Sequence, residues 1–237
     1  MIDINCDMGE GIGNEEELMP FINSANIACG YHAGDADTML RVIQLCLQHG
    51  VHIGAHPSFF DRVNFGRTAM KLTAEEIYSL ITAQLKTMNA IVLECGGILH
   101  HIKPHGALYN MAAADSVLAN VIAQAVKDFD ASLIYYGLSG SVMISEANKL
   151  GLQTANEVFA DRTYQGDGTL TSRNKPGALL TDINDVQQQV MKFVKENKVT
   201  TVLGKDIFLQ ADTICIHGDG THAVDFAKAV YKQLYEV

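Results

Sequence analysis

A chain of 237 residues, 48% hydrophobic and 19% charged, has the composition of an ordinary globular protein and is long enough for one barrel domain spanning residues 1–237. Its net charge of -10 sets 27 acidic against 17 basic residues, the latter scattered singly, which excludes the basic face that nucleic acid requires. Five cysteines, without a C-x-x-C pair, exclude a disulfide framework and read as reduced core thiols; Cys29 and Cys215, near polar turns, are the two with a chance of reactivity.

The first strand is expected near 2–7, where an apolar run ends in Asn5-Cys6-Asp7-Met8-Gly9-Glu10. Asp7 and Glu10 leave its end, where a carboxylate acts as a base, orients another group or holds a cation. The glycines that follow match neither G-x-x-x-x-G-K-[ST] nor G-x-G-x-x-G. Glu15-Glu16-Glu17, in the first turn of the next helix, would repel a phosphate from it. A second strand near 25–29 runs into His32. Asp37 or Thr38 can then cap a helix that turns Leu40, Ile43 and Leu47 inward and closes at Gly50. His49 and His52 flank that glycine, at the opposite end of the barrel from the strand exits.

A third strand near 52–55 ends at His56 and opens a long connection, 57–72, that carries Arg62, Arg67 and Lys71. Thr73 and Glu76 form a capping box before a long helix with Ile77, Leu80, Ile81, Leu85, Met88 and Val92 on one face. The fourth strand, near 99–103, holds His100 and His101, one facing inward, and leaves through Lys103-Pro104-His105-Gly106. Lys103 and His105, two apart on an extended segment, share a face and offer a cation beside an imidazole. Helices near 113–129 and 139–149 bracket a strand near 133–136. The sixth strand, near 154–157, delivers Glu157, Asp161, Arg162 and Tyr164 into a second long connection, 159–180, that also holds Arg173 and Lys175. After a helix near 184–196, Val199–Val202 and Ile207–Leu209 read as a hairpin turned by Gly204. A last strand near 213–217 ends in His217-Gly218-Asp219-Gly220, before a helix near 222–235.

Seven strands alternating with helices predict an α/β fold, a TIM-barrel-like (β/α) barrel of seven strands, in which the strand exits meet at one end. Four histidines at such exits, His32, His56, His105 and His217, are worth more together than singly, and with Asp7 they could hold a divalent metal through mixed N and O ligands. No H-x-x-x-H or H-E-x-x-H occurs, so the spacing itself names no metal. The cations gathered in the two long connections suit an anionic small molecule. No Gly-x-Ser-x-Gly elbow is present. No leader pattern and no run of about 18 apolar residues occurs, which points to the cytoplasm.

The segments NCDMGEGIG, ANIACGYHAGD, GAHPSF followed by NFGR, KPHGALYN, EVFADRTY and CIHGDGTHAV resemble the ordered signature blocks of the LamB/YcsF family, from Asp3 to about Val224. One departure is Gly220-Thr221, where the pattern has Thr-Pro. The resemblance implies a barrel of the glycoside hydrolase/deacetylase type and a hydrolase: ATP-dependent opening of 5-oxoproline (pyroglutamate) to L-glutamate, in a complex with subunits B and C. A five-membered lactam is a resonance-stabilised amide, so coupling to ATP through phosphorylation of the amide oxygen would help water attack, with phosphate as the leaving group. On that reading Asp7 and one of His32, His56 or His105 activate water, Lys103 stabilises negative charge, and Glu157 is a further catalytic candidate. Arg62, Arg67, Tyr109, Arg162, Arg173, His217 and Asp219 bind substrate. With no P-loop, ATP would be handled partly by the partner subunits or by a site of unrecognised pattern. Two alternatives use the same residues: a metal-dependent deacetylase or amidase acting alone, and a non-catalytic binding subunit.

Overall fold

The computed structural model describes residues 2–220 and 222–236. In chain order the elements begin with β1 (Asp3–Met8), the short α1 (Glu15–Leu18), β2 (Ser24–Ala28), α2 (Ala36–His49), β3 (His52–His56) and α3 (Ala74–Glu94). They continue through β4 (Leu99–Ile102), α4 (Gly106–Ala114), α5 (Ser116–Phe129), β5 (Ile134–Leu138), α6 (Val142–Lys149) and β6 (Thr154–Phe159). Then come α7 (Ile183–Glu196), the hairpin β7 (Lys198–Thr200) and β8 (Asp206–Phe208), β9 (Thr213–Ile216) and α8 (Ala223–Tyr235). Strands β1 to β6 and β9 close into a seven-stranded parallel barrel, with β9 pairing to both β6 and β1. The β7–β8 hairpin stands outside it, turned by Gly204 at φ 71°. Thr221, and with it half of the Gly220-Thr221 departure, lies outside the described residues.

Three helical expectations need correction. Asp35, not Asp37 or Thr38, caps α2, accepting from Thr38 N at 2.8 Å. The buried stripe of α2 is Met39, Val42, Ile43 and Cys46, a run of i, i+3, i+4 and i+7, so Leu40 is half-buried and Leu47 exposed. The helix expected over 113–129 starts instead at Ser116 as α5, and α4 precedes it as a separate helix, because Asp115 is extended (φ -118°), ends α4 and caps α5 through Val117 N and Leu118 N. The Thr73–Glu76 capping box and the Ile77-to-Val92 face of α3 are as expected. Among the described residues no helix is long and apolar enough to cross a membrane.

Strand alternation divides the core in two. Ile4, Cys6 and Met8 of β1 belong to the apolar layer between barrel and helices. Asp3, Asn5 and Asp7 join side chains of neighbouring strands instead. Thr213 Oγ1 donates to Asp3, Asn5 Nδ2 to Thr213 Oγ1 (2.7 Å), and Asn26 Nδ2 to both Asn5 Oδ1 (2.7 Å) and Asp7 Oδ1 (2.9 Å). His101, fully buried, extends this polar column by meeting Asn26 Oδ1 at 2.9 Å. Gly54 makes the room: a Cβ there would stand 2.0 Å from His101 Nε2. His100, at the register shift between β3 and β4, stacks on His52 at 4.0 Å.

Candidate active site

The C-terminal strand ends surround a cavity of about 430 Å³. Its floor is Asp7 and Glu10 from the β1 exit, His56 at the end of β3, and Lys103 and His105 beyond β4. Tyr109 of α4, His217 and Asp219 beyond β9, and Arg67, Arg162 and Arg173 from the two long connections complete the wall. The connection 159–180 is folded back on itself through Arg162–Leu179 and Tyr164–Leu170 bridges, and its Thr169–Asn174 stretch forms one side of the mouth. A wider surface cleft of about 560 Å³ near α7 and α8 contains none of these strand-end residues.

Lys103 is the electrostatic centre. Its Nζ lies 2.8 Å from Asp7 Oδ1, 2.8 Å from Glu157 Oε1 and 3.1 Å from Cys215 Sγ. Burial alone would favour the neutral amine, but the carboxylates of Asp7 and Glu157 outweigh it and hold the pKa well above the usual lysine range. Lys103 is therefore a fixed cation. Glu157 is fully buried beneath it and takes a 2.7 Å hydrogen bond from Tyr109 OH. Asp7 Oδ1 is held by Asn26 and Lys103, which leaves Oδ2 beside His56 Nε2 at 3.5 Å. Burial opposes ionisation of Asp7, yet His56 and Lys103 outweigh it, and the carboxyl sits well below its usual range.

Three of the four expected histidines meet. His32, His56 and His105 gather around Glu10 Oε1, with His32 Nε2 at 3.0 Å, His105 Nδ1 at 3.2 Å and His56 Nε2 at 3.9 Å. His105 Nδ1 and His56 Nε2 are 2.9 Å apart, and the His32 and His105 rings stack at 3.7 Å. The carboxylate that joins them is Glu10 rather than Asp7. His32 lies one layer behind the cavity wall, and burial pushes its pKa down to about 4 against the pull of Glu10. His217 stands apart, its Nδ1 2.9 Å from Asp161 Oδ1. His217 outweighs the effect of burial on Asp161 and draws that carboxyl below its usual range.

Arg62 does not reach the cavity. Its Nη1 donates to the Gly30 and Gly34 carbonyls at 2.7 and 2.8 Å, bracing the β2 exit against the 57–72 connection. Arg67 reaches the mouth and pairs there with Asp219 at 2.5 Å, its guanidinium over the Phe65 ring. Arg162 is held by the Thr171 carbonyl (2.6 Å), and burial together with Arg173 lowers its pKa to about 10. The cysteines are not thiolates: burial pushes Cys29 up to about 12 and Cys215 well above its usual range.

Sequence alone does not single out the supporting residues. Gln84 of α3 clamps both main-chain groups of Ser58, accepting from its N at 3.0 Å and donating to its O at 2.9 Å. A polar residue inside the apolar stripe of α3 is the available signal. Ser58 Oγ in turn faces His32 Nδ1 at 2.8 Å. Nothing in the sequence marks the Phe65 carbonyl, which meets His105 Nε2 at 2.9 Å.

The family model described as LamB/YcsF matches residues 2–237. A protein of Shouchella clausii (strain KSM-K16), named as the A subunit of 5-oxoprolinase, is 52% identical over 98% of this chain and 94% of its own length. The crystal structure of a lactam utilization protein from Thermus thermophilus superposes with a TM-score of 0.93 at 40% identity, covering 99% of this chain and 96% of that one. A putative cellobiose-phosphate cleavage protein from Enterococcus faecalis, at 12% identity and a TM-score of 0.58 over 97% of this chain and 89% of its own, shares the fold alone.

Proposed function

This chain belongs to the LamB/YcsF family, and from that premise we propose that it is the A component of an ATP-dependent 5-oxoprolinase, a hydrolase that opens 5-oxo-L-proline to L-glutamate together with subunits B and C. The observation that carries the reading is a single cavity with Asp7 on its floor and Arg67, Arg162 and Arg173 in its wall. Guanidinium groups suit the substrate carboxylate or a phosphate, and a carboxylate beside them suits proton transfer from water.

ATP supplies the driving force by phosphorylating the lactam oxygen and releasing ADP. Water then adds to the activated ring carbon, Asp7 Oδ2 taking its proton. Loss of phosphate from that carbon would only restore the lactam, so the ring C–N bond breaks first. The nitrogen leaves as the amine, taking a proton, and an acyl phosphate remains. A second water cleaves it to the carboxylate and inorganic phosphate. Lys103, ion-paired with Asp7 and Glu157, fixes the base and offsets developing negative charge rather than meeting the substrate as a free cation. Tyr109 acts through Glu157, which its hydroxyl orients. The first turn of α1 carries three glutamates and no phosphate loop precedes it, so we assign phosphorylation to subunits B and C and hydrolysis to this chain.

The test measures glutamate and ADP formed from 5-oxoproline and ATP by this chain alone, by B and C alone, and by all three. Turnover confined to the full set is expected. A full set that forms no glutamate would overturn the reading.

A further inference from the structure

The proton inventory of the three clustered histidines is fixed by their outer partners. His56 Nδ1 faces the Lys103 carbonyl at 2.6 Å, and His105 Nε2 faces the Phe65 carbonyl at 2.9 Å. A carbonyl oxygen only accepts, so both of those ring nitrogens carry hydrogen. Ser58 Oγ spends its own hydrogen on the Phe59 carbonyl at 2.9 Å, so it too accepts, and His32 Nδ1 is its donor. The inner nitrogens, His32 Nε2, His56 Nε2 and His105 Nδ1, turn toward one another and toward Glu10 Oε1. All four atoms lie within 4.8 Å of one another. Three ring nitrogens whose outer partners are already satisfied, and a carboxylate oxygen, thus converge on one point, where a single cation would engage all four.

We propose that Glu10, His32, His56 and His105 form a binding site for one divalent transition-metal ion at the cavity floor. The size fits: tetrahedral ligation with bonds of about 2.0–2.1 Å separates neighbouring ligand atoms by roughly 3.3–3.4 Å. The separations here run through 2.9, 3.0, 3.2 and 3.9 Å. The donor set selects the metal. Three imidazole nitrogens and one carboxylate oxygen suit Zn(II), or Co(II) and Ni(II) in its place, and disfavour Mg(II) and Ca(II), which take oxygen. Each imidazole already has the outer hydrogen-bond acceptor that ligating histidines characteristically have.

Charge agrees. Asp7, Glu10 and Glu157 are three buried carboxylates and Lys103, paired with Asp7 and Glu157, is the one buried ammonium among them, which leaves two negative charges that a dication neutralises. Glu10, His56 and His105 border the cavity, whereas His32 lies behind, so the ion would present one side to a bound oxygen atom. With the three lone pairs engaged, Asp7 remains the proton acceptor beside it. The site depends only on this chain's own residues and stands whether or not the lactam is the substrate.

The experiment uses the purified full chain. Metal content is measured by mass spectrometry as isolated; the protein is then stripped with chelator and titrated with Co(II), followed by visible absorption and melting temperature. One equivalent of transition metal, a 1:1 Co(II) endpoint with intense ligand-field bands displaced by Zn(II), and a melting rise of about 5–10 °C at a hundred times Kd are expected. His105→Ala and Glu10→Gln should abolish the endpoint. Ser58→Ala, which leaves every ligand in place, should weaken it roughly 10- to 100-fold. His49→Ala, an exposed histidine outside the cluster, should leave it unchanged. Failure of the stripped wild-type chain to bind Co(II), or a 1:1 endpoint that survives both His105→Ala and Glu10→Gln, would overturn the proposal.

Discussion

Phe65, held at φ 56°, turns its carbonyl oxygen to 2.9 Å from His105 Nε2. A bulky residue in left-handed backbone is strained by about 1–3 kcal/mol, and here that strain sets the orientation and tautomer of an imidazole on the cavity floor. Gly66 follows at φ 65°, and a Cβ on it would meet His32 Cβ at 2.9 Å and His105 Cδ2 at 3.0 Å.

Gly66→Ala should therefore destabilise the fold by about 1–3 kcal/mol and lower turnover at least roughly tenfold by displacing the two rings. Gly11, also at positive φ but with nothing within 4 Å of an added Cβ, is the control. Gly11→Ala should lose only about 1 kcal/mol and keep full turnover. Urea unfolding and steady-state rates on both variants separate strain from displacement; equal rates would refute the displacement.

Lys103→Met strands Asp7 and Glu157 without their cation. Removing one member of a buried ion cluster costs about 3–5 kcal/mol, and adding Glu157→Gln to Lys103→Met should recover part of it. Urea midpoints of the single and double variants report this; a double variant less stable than Lys103→Met alone would contradict the pairing.

The Asp161–His217 pair predicts an acid limb. The folded pKa of Asp161 is depressed, so its contribution is fully present above the unfolded value of about 3.9 and is lost as pH falls through the folded value. Asp161→Asn should thus lower stability at neutral pH by about 1.5–3 kcal/mol and flatten the loss below about pH 4. Urea unfolding from neutral pH down to about pH 3 measures it, and parallel curves for the two proteins would exclude the pair as a source of acid sensitivity.

Arg67 and Asp219 join two connections across the cavity mouth, with the Arg67 side chain 40% exposed. An ion pair so exposed adds less than about 1 kcal/mol, so neither Arg67→Ala nor Asp219→Ala should move the melting temperature by more than a few degrees. If Arg67 receives the substrate's negative charge, Arg67→Ala raises KM roughly tenfold, whereas Asp219→Ala, which leaves the guanidinium in place, raises it less. A KM unaffected by Arg67→Ala would remove that residue from substrate binding.

The barrel is legible because parallel strands buried on both faces announce themselves as apolar runs, and their polar exits repeat at each C-terminal end. The convergence of Asp7, His56, Lys103 and His105 follows from that repetition alone. Partnership is not legible. Glu10 outranks Asp7 beside the histidines because Gly9, at φ 71°, turns the chain after β1, a three-dimensional detail that spacing does not carry. Arg62 and Arg67 look alike in sequence, yet two main-chain carbonyls hold the first and only the second reaches the cavity. The separate helix α4 is hidden because its first residue, Gly106, belongs to the polar exit of β4, and a single extended residue, Asp115, divides it from α5.

The barrel is sealed by strands from opposite ends of the sequence: β9 slots between β6 and β1, and Asn5 meets Thr213 across 208 positions. While a ribosome is still making the chain, β1 and β6 therefore each carry a raw edge, and the polar column inside is open to water. Closure waits until β9 has been made, 208 positions after Asn5, and until then the nascent barrel is a curled, two-edged sheet. A polypeptide stopped short of Thr213 would be a natural client for chaperones that cover unpaired strands.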